Sequence, residues 1–134
     1  MAPRVRRGLG VPILALLVAG CGGSAKDASA LDRTCRDVRA SVARIEPVSR
    51  LRDAPPALRQ TIAIERALLA ALPRDHPLAG RLSAAIAGGR GALNSLVRTD
   101  PLRAGTMSPL GAGVPAARRA TREARDLVRS VCVG

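Results

Sequence analysis

Three cysteines and a single histidine carry the most reactive side-chain chemistry in this sequence. Cys21 ends an apolar N-terminal segment, whereas Cys35 and Cys132 lie near the two ends of the chain that follows it. His76 has no serine, cysteine or acidic partner at a recognisable catalytic spacing, and no partner at the spacing of metal ligands. The sequence therefore predicts no catalytic residue, no metal site and no cofactor, and we expect a non-enzymatic protein.

The first 20 residues have the layout of an export signal. MAPRVRR carries three arginines and no acidic residue, and GLGVPILALLVAG carries no charge. A basic start followed by about a dozen apolar residues is typical of a signal peptide, whereas a membrane-spanning helix needs roughly 20 apolar residues. Two small residues, Ala19 and Gly20, stand directly before Cys21.

The stretch LVAGC at the end of this segment resembles the lipobox of bacterial lipoproteins. The resemblance implies that a membrane peptidase cleaves before Cys21, and that the thiol of Cys21 takes a diacylglyceryl group as a thioether. The residues that the peptidase would recognise are Leu17, Val18, Ala19 and Gly20. Two acyl chains anchor a protein stably, whereas one holds it weakly. We therefore expect an exported protein that its N-terminal lipid anchors to the outer face of the cell membrane, with an ordinary secretory signal as the alternative.

The resemblance divides the chain into a signal peptide (1–20), a lipidated cysteine with a flexible tether (21–29) and a helical domain (30–134). Three of the 22 basic residues and none of the 10 acidic residues lie in the signal, so the remaining chain carries a net charge of +9. The chain contains no Phe, Tyr or Trp on which bases could stack, and export also argues against a nucleic-acid partner. The expected partners are the membrane itself, anionic lipid, a cell-wall polymer or an envelope protein.

Apolar residues recur at helical spacing in four segments of the domain. The predicted helices cover about 31–45, 55–72, 75–96 and 115–131, and their connections are mostly short. This pattern predicts an all-α fold, a small antiparallel bundle of about four helices. Residues 99–114, rich in Gly and Pro, are predicted to form a mobile or disordered loop, with a partner-binding loop as the alternative.

Cys35 and Cys132 are expected to form a disulfide. In an antiparallel four-helix bundle, the start of the first helix and the end of the fourth lie at the same end. The exported compartment permits disulfides, and a small core without aromatic residues gains from a covalent link. Two separate reduced, buried thiols are the alternative.

Glu65 falls within the apolar face of the second predicted helix, where an isolated carboxylate is costly to bury. We expect it to pair with an arginine of a neighbouring helix, to lie at a gap in the core, or to occupy a partly exposed edge. The alternative is a polar anchor inside a ligand cleft. In the third helix, Gly89 of the GGRG stretch is expected either to let another helix approach closely or to mark a kink.

Four arginines share the outer face of the fourth predicted helix: Arg118, Arg122, Arg125 and Arg129. They form either a solvated face or a binding surface for anionic lipid or polymer. The favoured function is a membrane-anchored interaction or structural module with this basic surface. Two alternatives remain, a carrier of a small, lipid-like ligand in a cleft between helices and a hydrolase centred on His76, although His76 is expected to be a surface or capping residue.

Overall fold

The computed structural model describes residues 12–98 and 112–133, with side chains described from residue 28 onward. These ranges contain four α-helices and no strand, so the predicted all-α fold is confirmed. The helices are α1 (Pro12–Ala43), α2 (Ala54–Ala71), α3 (Ala79–Arg98) and α4 (Gly113–Val131), and a short 3-10 helix (Leu51–Asp53) leads into α2. The loop predicted over 99–114 lies, up to residue 111, outside the described residues.

The boundaries of α2 follow from prolines at both ends. Pro55 and Pro56 occupy the first turn, where the missing backbone N–H of proline has no helical partner to lose. Leu72 is extended, with ψ 148°, because Pro73 disfavours the helical conformation of the residue before it. The second helix therefore ends where the sequence predicts.

Helix α1 is longer than the predicted first helix and continues N-terminally through the segment expected to be a flexible tether. Residues 21–29 are helical in the structure. No proline occurs between Pro12 and Pro47, so the ladder of backbone hydrogen bonds can run unbroken. The three glycines at 20, 22 and 23 lower helix propensity by about 1 kcal/mol each, but they keep their N–H donors.

The contacts between α1 and α4 show that the two helices run antiparallel. Cys35 in α1 bonds to Cys132 at the end of α4, and farther along the chain the carbonyl of Val48 accepts a hydrogen bond from Arg118 near the start of α4. Helix α2 packs against the other three helices, whereas α1 and α3 share no substantial contact within the described ranges. The bundle therefore has α2 and α4 at its centre, with α1 and α3 on opposite sides.

The core combines a few large aliphatic side chains with many small ones. Leu58, Leu68, Leu82 and Leu127 are fully buried, together with alanines from α2 and α4. At Gly89, a Cβ atom would lie 3.1 Å from Cγ1 of Ile62, and α3 continues through this position without a break. Gly89 therefore marks a close approach of α3 to α2 and not a kink.

Candidate functional site

A cleft of about 360 Å³ opens between α2, α3 and α4. Small residues from α3 and α4 form most of its wall, and their missing side-chain volume leaves the space open. Three charged side chains reach it, Glu65 from α2 and both Arg119 and Glu123 from α4. The remaining lining residues are Leu58, Ala84, Ala85, Gly88, Gly89, Ala92, Ala116 and Ala120.

Glu65 is the least ordinary side chain in this cleft. It is 2% exposed, and its Oε2 atom has no hydrogen-bond partner among the described residues. Burial, followed by the negative charge of Glu123, raises the pKa of Glu65 to about 7. At neutral pH this carboxyl group therefore exchanges between its charged and its protonated form.

The sequence-based expectations for Glu65 are wrong on two points. It is not an edge position, because it is almost fully buried. It also has no arginine partner, since no ion pair within 4.0 Å joins it to any residue that the structure describes. Arg119 also lines the cleft, one helical turn before Glu123. Its side chain is exposed, so leaving the guanidinium group in water costs little free energy. Glu65 does line a cleft, and the alternative, a polar anchor inside a ligand cleft, stays a prediction.

The arginine face of α4 lies on the side that packs against α1. Arg118 is fixed at one end, where its Nε–H donates to the carbonyl oxygen of Val48 at 2.8 Å. Arg122 is exposed and Arg125 is half-buried. At the other end, Arg129 lies 3.9 Å from Asp126, and both side chains are largely exposed, so this pair contributes little to stability.

Two grooves border the arginine face of α4, one beside the loop that follows α1 and one beside α1 itself. The first, of about 460 Å³, is lined by Glu46 to Ser49 on one side and by three of the arginines on the other. The second, of about 400 Å³, is lined by Arg125 and Arg129 together with Arg39 of α1. Positive charge from both helices is therefore concentrated along one surface, which we call the arginine seam (Arg39, Arg118, Arg122, Arg125, Arg129).

The two cysteines of the domain meet at one end of this seam. Cys35 and Cys132 form a disulfide with a Cα–Cα distance of 5.5 Å across a sequence separation of 97 residues. Arg39 donates from its guanidinium group to the carbonyl oxygen of Cys132, which satisfies one of the last carbonyls of α4. The covalent link and this hydrogen bond hold the same two helices together.

His76 serves a local structural purpose in the turn between α2 and α3. Its Nδ1 atom accepts a hydrogen bond from the backbone N–H of Leu78 at 3.1 Å, just before α3 begins. The side chain is half-buried. This geometry agrees with the expected capping residue.

The N-terminal candidates lie on α1, but only their backbone is described. Leu17 to Gly20 and Cys21 fall inside this helix, and their side chains lie outside the described part of the structure. Among the described residues, none of the helices combines the length and the apolar character that crossing a membrane requires. Nor do the described residues contain a cluster of three or more side chains suited to a metal ion.

Two residues of the cleft, Arg119 and Glu123, were not among the sites that the sequence predicts. A helical wheel shows a signal for Glu123, because this residue falls on the same side of α4 as Ala116 and Ala120, at the edge of the buried face. Its significance depends on Glu65, which comes from another helix. Comparison with known proteins adds no further guide: no protein-family model, curated protein or solved structure matches this chain.

Proposed function

We propose that this protein is a membrane-anchored lipoprotein of the cell envelope, whose helical domain is a non-enzymatic interaction module. The lipobox-like stretch before Cys21 supports the anchor. The observation that carries the interaction role is the arginine seam, where five guanidinium groups from α1 and α4 line adjoining grooves. The partner is a phosphate-rich component of the envelope, either lipid headgroups or a wall polymer, because guanidinium groups bind phosphate in a bidentate manner.

The geometry of α1 bears on how the module would stand on the bilayer. The disulfide that joins α1 to α4 marks the end of the bundle nearest to Cys21. As a helix, the stretch from Cys21 to Cys35 spans about 21 Å at 1.5 Å per residue. A lipid on Cys21 would therefore hold the disulfide-bearing end towards the membrane, and with it the end of the arginine seam that carries Arg39 and Arg129.

The anchor is tested by labelling cells with palmitate and measuring the intact mass of the extracted protein. We expect label and lipid mass on a chain that begins at Cys21. In the variant Cys21→Ser we expect the chain to lose its label and leave the membrane fraction. A wild-type chain that takes up no palmitate would contradict the anchor while leaving the role of the arginine seam to the next experiment.

The arginine seam is tested with the double variant Arg122→Gln/Arg125→Gln, which spares Arg118 because that residue has a structural hydrogen bond. The matched control is Arg66→Gln/Arg81→Gln, two exposed arginines of α2 and α3. The probes are phosphatidylglycerol vesicles and long-chain polyphosphate. We expect the seam variant to bind its preferred probe at least about tenfold more weakly, with a shallower salt dependence. Equal losses in the two double variants would show that only net charge matters, and would overturn the role of the seam.

A second candidate function is a carrier of a small ligand, and the buried carboxylate of Glu65 in the cleft is the observation that favours it. The volume of the cleft, about 360 Å³, lies near the lower limit for small-molecule pockets. A short ligand fits this space better than a two-chain lipid. The cleft and the arginine seam lie on different sides of α4, so one domain has room for both functions.

A further inference from the structure

In the described part of the chain, the cleft between α2, α3 and α4 supplies no hydrogen-bond donor to Oε2 of Glu65. This atom is buried without a partner from residues 12–98 or 112–133, which is rare for an ionisable group in a folded protein. Rotation about the last side-chain bond is soft, so either carboxylate oxygen can be turned towards the cleft. A ligand that carries N–H donors would satisfy the carboxylate where no described side chain does.

The charges around the cleft determine the sign of that ligand. Glu65 and Glu123 contribute two negative charges when ionised, and Arg119 contributes one positive charge. The cleft therefore carries a net charge of about −1 within a chain whose overall formal charge is +12. A monovalent cation neutralises this local charge, whereas an anion would face two carboxylates.

The walls of the cleft determine what kind of cation fits. Apart from its three charged residues, the lining is alanine, glycine and one leucine, which suits a short aliphatic body. A bare metal ion would leave most of the 360 Å³ unfilled. Quaternary ammonium groups are recognised by cages of Trp, Tyr and Phe rings, and the chain contains none of these residues. A primary ammonium, by contrast, has three N–H donors, and the carboxylate of Glu65 can accept hydrogen bonds from them.

We propose that this cleft binds a small primary alkylamine, with the ammonium group on the carboxylates of Glu65 and Glu123 and the alkyl chain against the alanine and glycine wall. This inference rests on the second candidate function, the small-ligand carrier, and names the chemical class of its ligand. It is independent of the lipid anchor and of the arginine seam.

Binding depends on the protonation state of Glu65, since only the carboxylate form pairs with the ammonium. The charged groups that face Glu65 are Arg119 and Glu123 of α4, and within the described residues α3 adds none to the cleft. The charged residues with which α1 faces α2, Asp37 and Arg44, line a separate groove on the other side of α2. With a pKa of about 7 at Glu65, affinity should rise between pH 5.5 and pH 8 and then level off.

The test uses the full chain and n-butylammonium as the probe, with binding followed by NMR chemical shifts of the backbone amides and by calorimetry. Butanol, butyrate and tetramethylammonium are the comparison probes. We expect shifts at the cleft with n-butylammonium and none with tetramethylammonium. Glu65→Gln should weaken binding at least about tenfold and remove its pH dependence. The control Glu46→Gln, an exposed carboxylate outside the cleft, should bind within about twofold of the wild type.

A second variant, Arg119→Ala, tests whether the guanidinium group of Arg119 turns towards Glu65 in solution and competes with the amine. If the cleft binds amines, removing this competing cation should strengthen binding of n-butylammonium several-fold. Unchanged or weaker binding in Arg119→Ala would overturn the proposed charge arrangement. Binding of butanol or butyrate in place of the amine would overturn the amine and leave the carrier function standing. If none of the probes shifts the cleft residues, both the amine and the carrier function fail.

Discussion

The two sides of α4 are built in opposite ways. On the side towards α1, a disulfide joins Cys35 to Cys132, and two guanidinium groups donate hydrogen bonds to the backbone carbonyls of Val48 and Cys132. On the side towards α2 and α3, small side chains bring the helices together, and none of the residues that the structure describes pairs with Oε2 of the buried Glu65. One side is held by a covalent bond and paired polar atoms, and the other keeps an unpaired charge inside the bundle.

This difference shows how a domain with a small hydrophobic core can tolerate a buried carboxylate that lowers its free energy of unfolding. Closing the long loop between the cysteines is worth about 4–5 kcal/mol in the chain-entropy model. Keeping Glu65 ionised inside the bundle, with its pKa raised from 4.5 to about 7, costs about 3 kcal/mol above neutral pH. The two terms are of similar size, so the covalent link on one side of α4 offsets the burial of charge on the other.

Removing the disulfide is expected to have the largest effect on stability. The double variant Cys35→Ala/Cys132→Ala should lower the free energy of unfolding by about 4–5 kcal/mol, because the unfolded chain regains the entropy that the loop removes. Urea denaturation of the variant and of the oxidised wild type measures this difference. Reduction of the wild type with dithiothreitol should reproduce it. A loss below about 1 kcal/mol would mean that the covalent side of α4 is not what holds the bundle together.

Neutralising Glu65 is expected to have the next largest effect, and its sign depends on pH. The folded state holds the proton of Glu65 up to about pH 7, whereas the unfolded state releases it near pH 4.5. Stability from this group is therefore fully present below pH 4.5 and is lost as the pH rises through 7, by about 3 kcal/mol in total. Urea denaturation between pH 4 and pH 8 should show this loss in the wild type.

The matched variants for this pH series are Glu65→Gln and Glu46→Gln. Glu65→Gln should not show the loss, and at pH 8 it should be more stable than the wild type. Glu46→Gln should follow the wild-type curve, because Glu46 is exposed. A wild-type curve parallel to that of Glu65→Gln would show that Glu65 finds a partner in solution, and the contrast between the two sides of α4 would disappear.

The sequence alone predicts most of this architecture. Helical periodicity locates α2, α3 and α4, since the prolines and glycines that flank them are local signals. The pairing of Cys35 with Cys132 follows from antiparallel topology, because only two cysteines remain once Cys21 is assigned to the lipid. The sequence does not predict the start of α1, because residues 21–29 read as a flexible tether. No residue between Pro12 and Leu31 interrupts the hydrogen bonds of a helix, so α1 begins earlier.

The candidate site was predicted only in part, for a different physical reason. The 100° rotation per residue places Glu65 on the buried face of α2, and the structure agrees. Whether it pairs with an arginine depends on how α4 is rotated about its axis and on where the side chain of Arg119 points. Neither the rotation of α4 nor the direction of this side chain can be inferred from the local residue pattern. Only the three-dimensional structure therefore shows that the carboxylate is unpaired among the described residues.

The smallest predicted effect tests the small-residue side of α4 and its neighbours through two glycines of α3. Gly91→Ala should stabilise the protein by about 0.5–1 kcal/mol, because a Cβ there meets no described atom within 4 Å and alanine is the better helix former. Gly89→Ala gains the same helix propensity, but its methyl group would lie 3.1 Å from Cγ1 of Ile62 and force that side chain to move. Thermal unfolding should therefore rank Gly91→Ala above Gly89→Ala. Equal stabilisation would mean that α2 and α3 are separated widely enough for a methyl group, and the close approach that shapes the floor of the cleft would have to be abandoned.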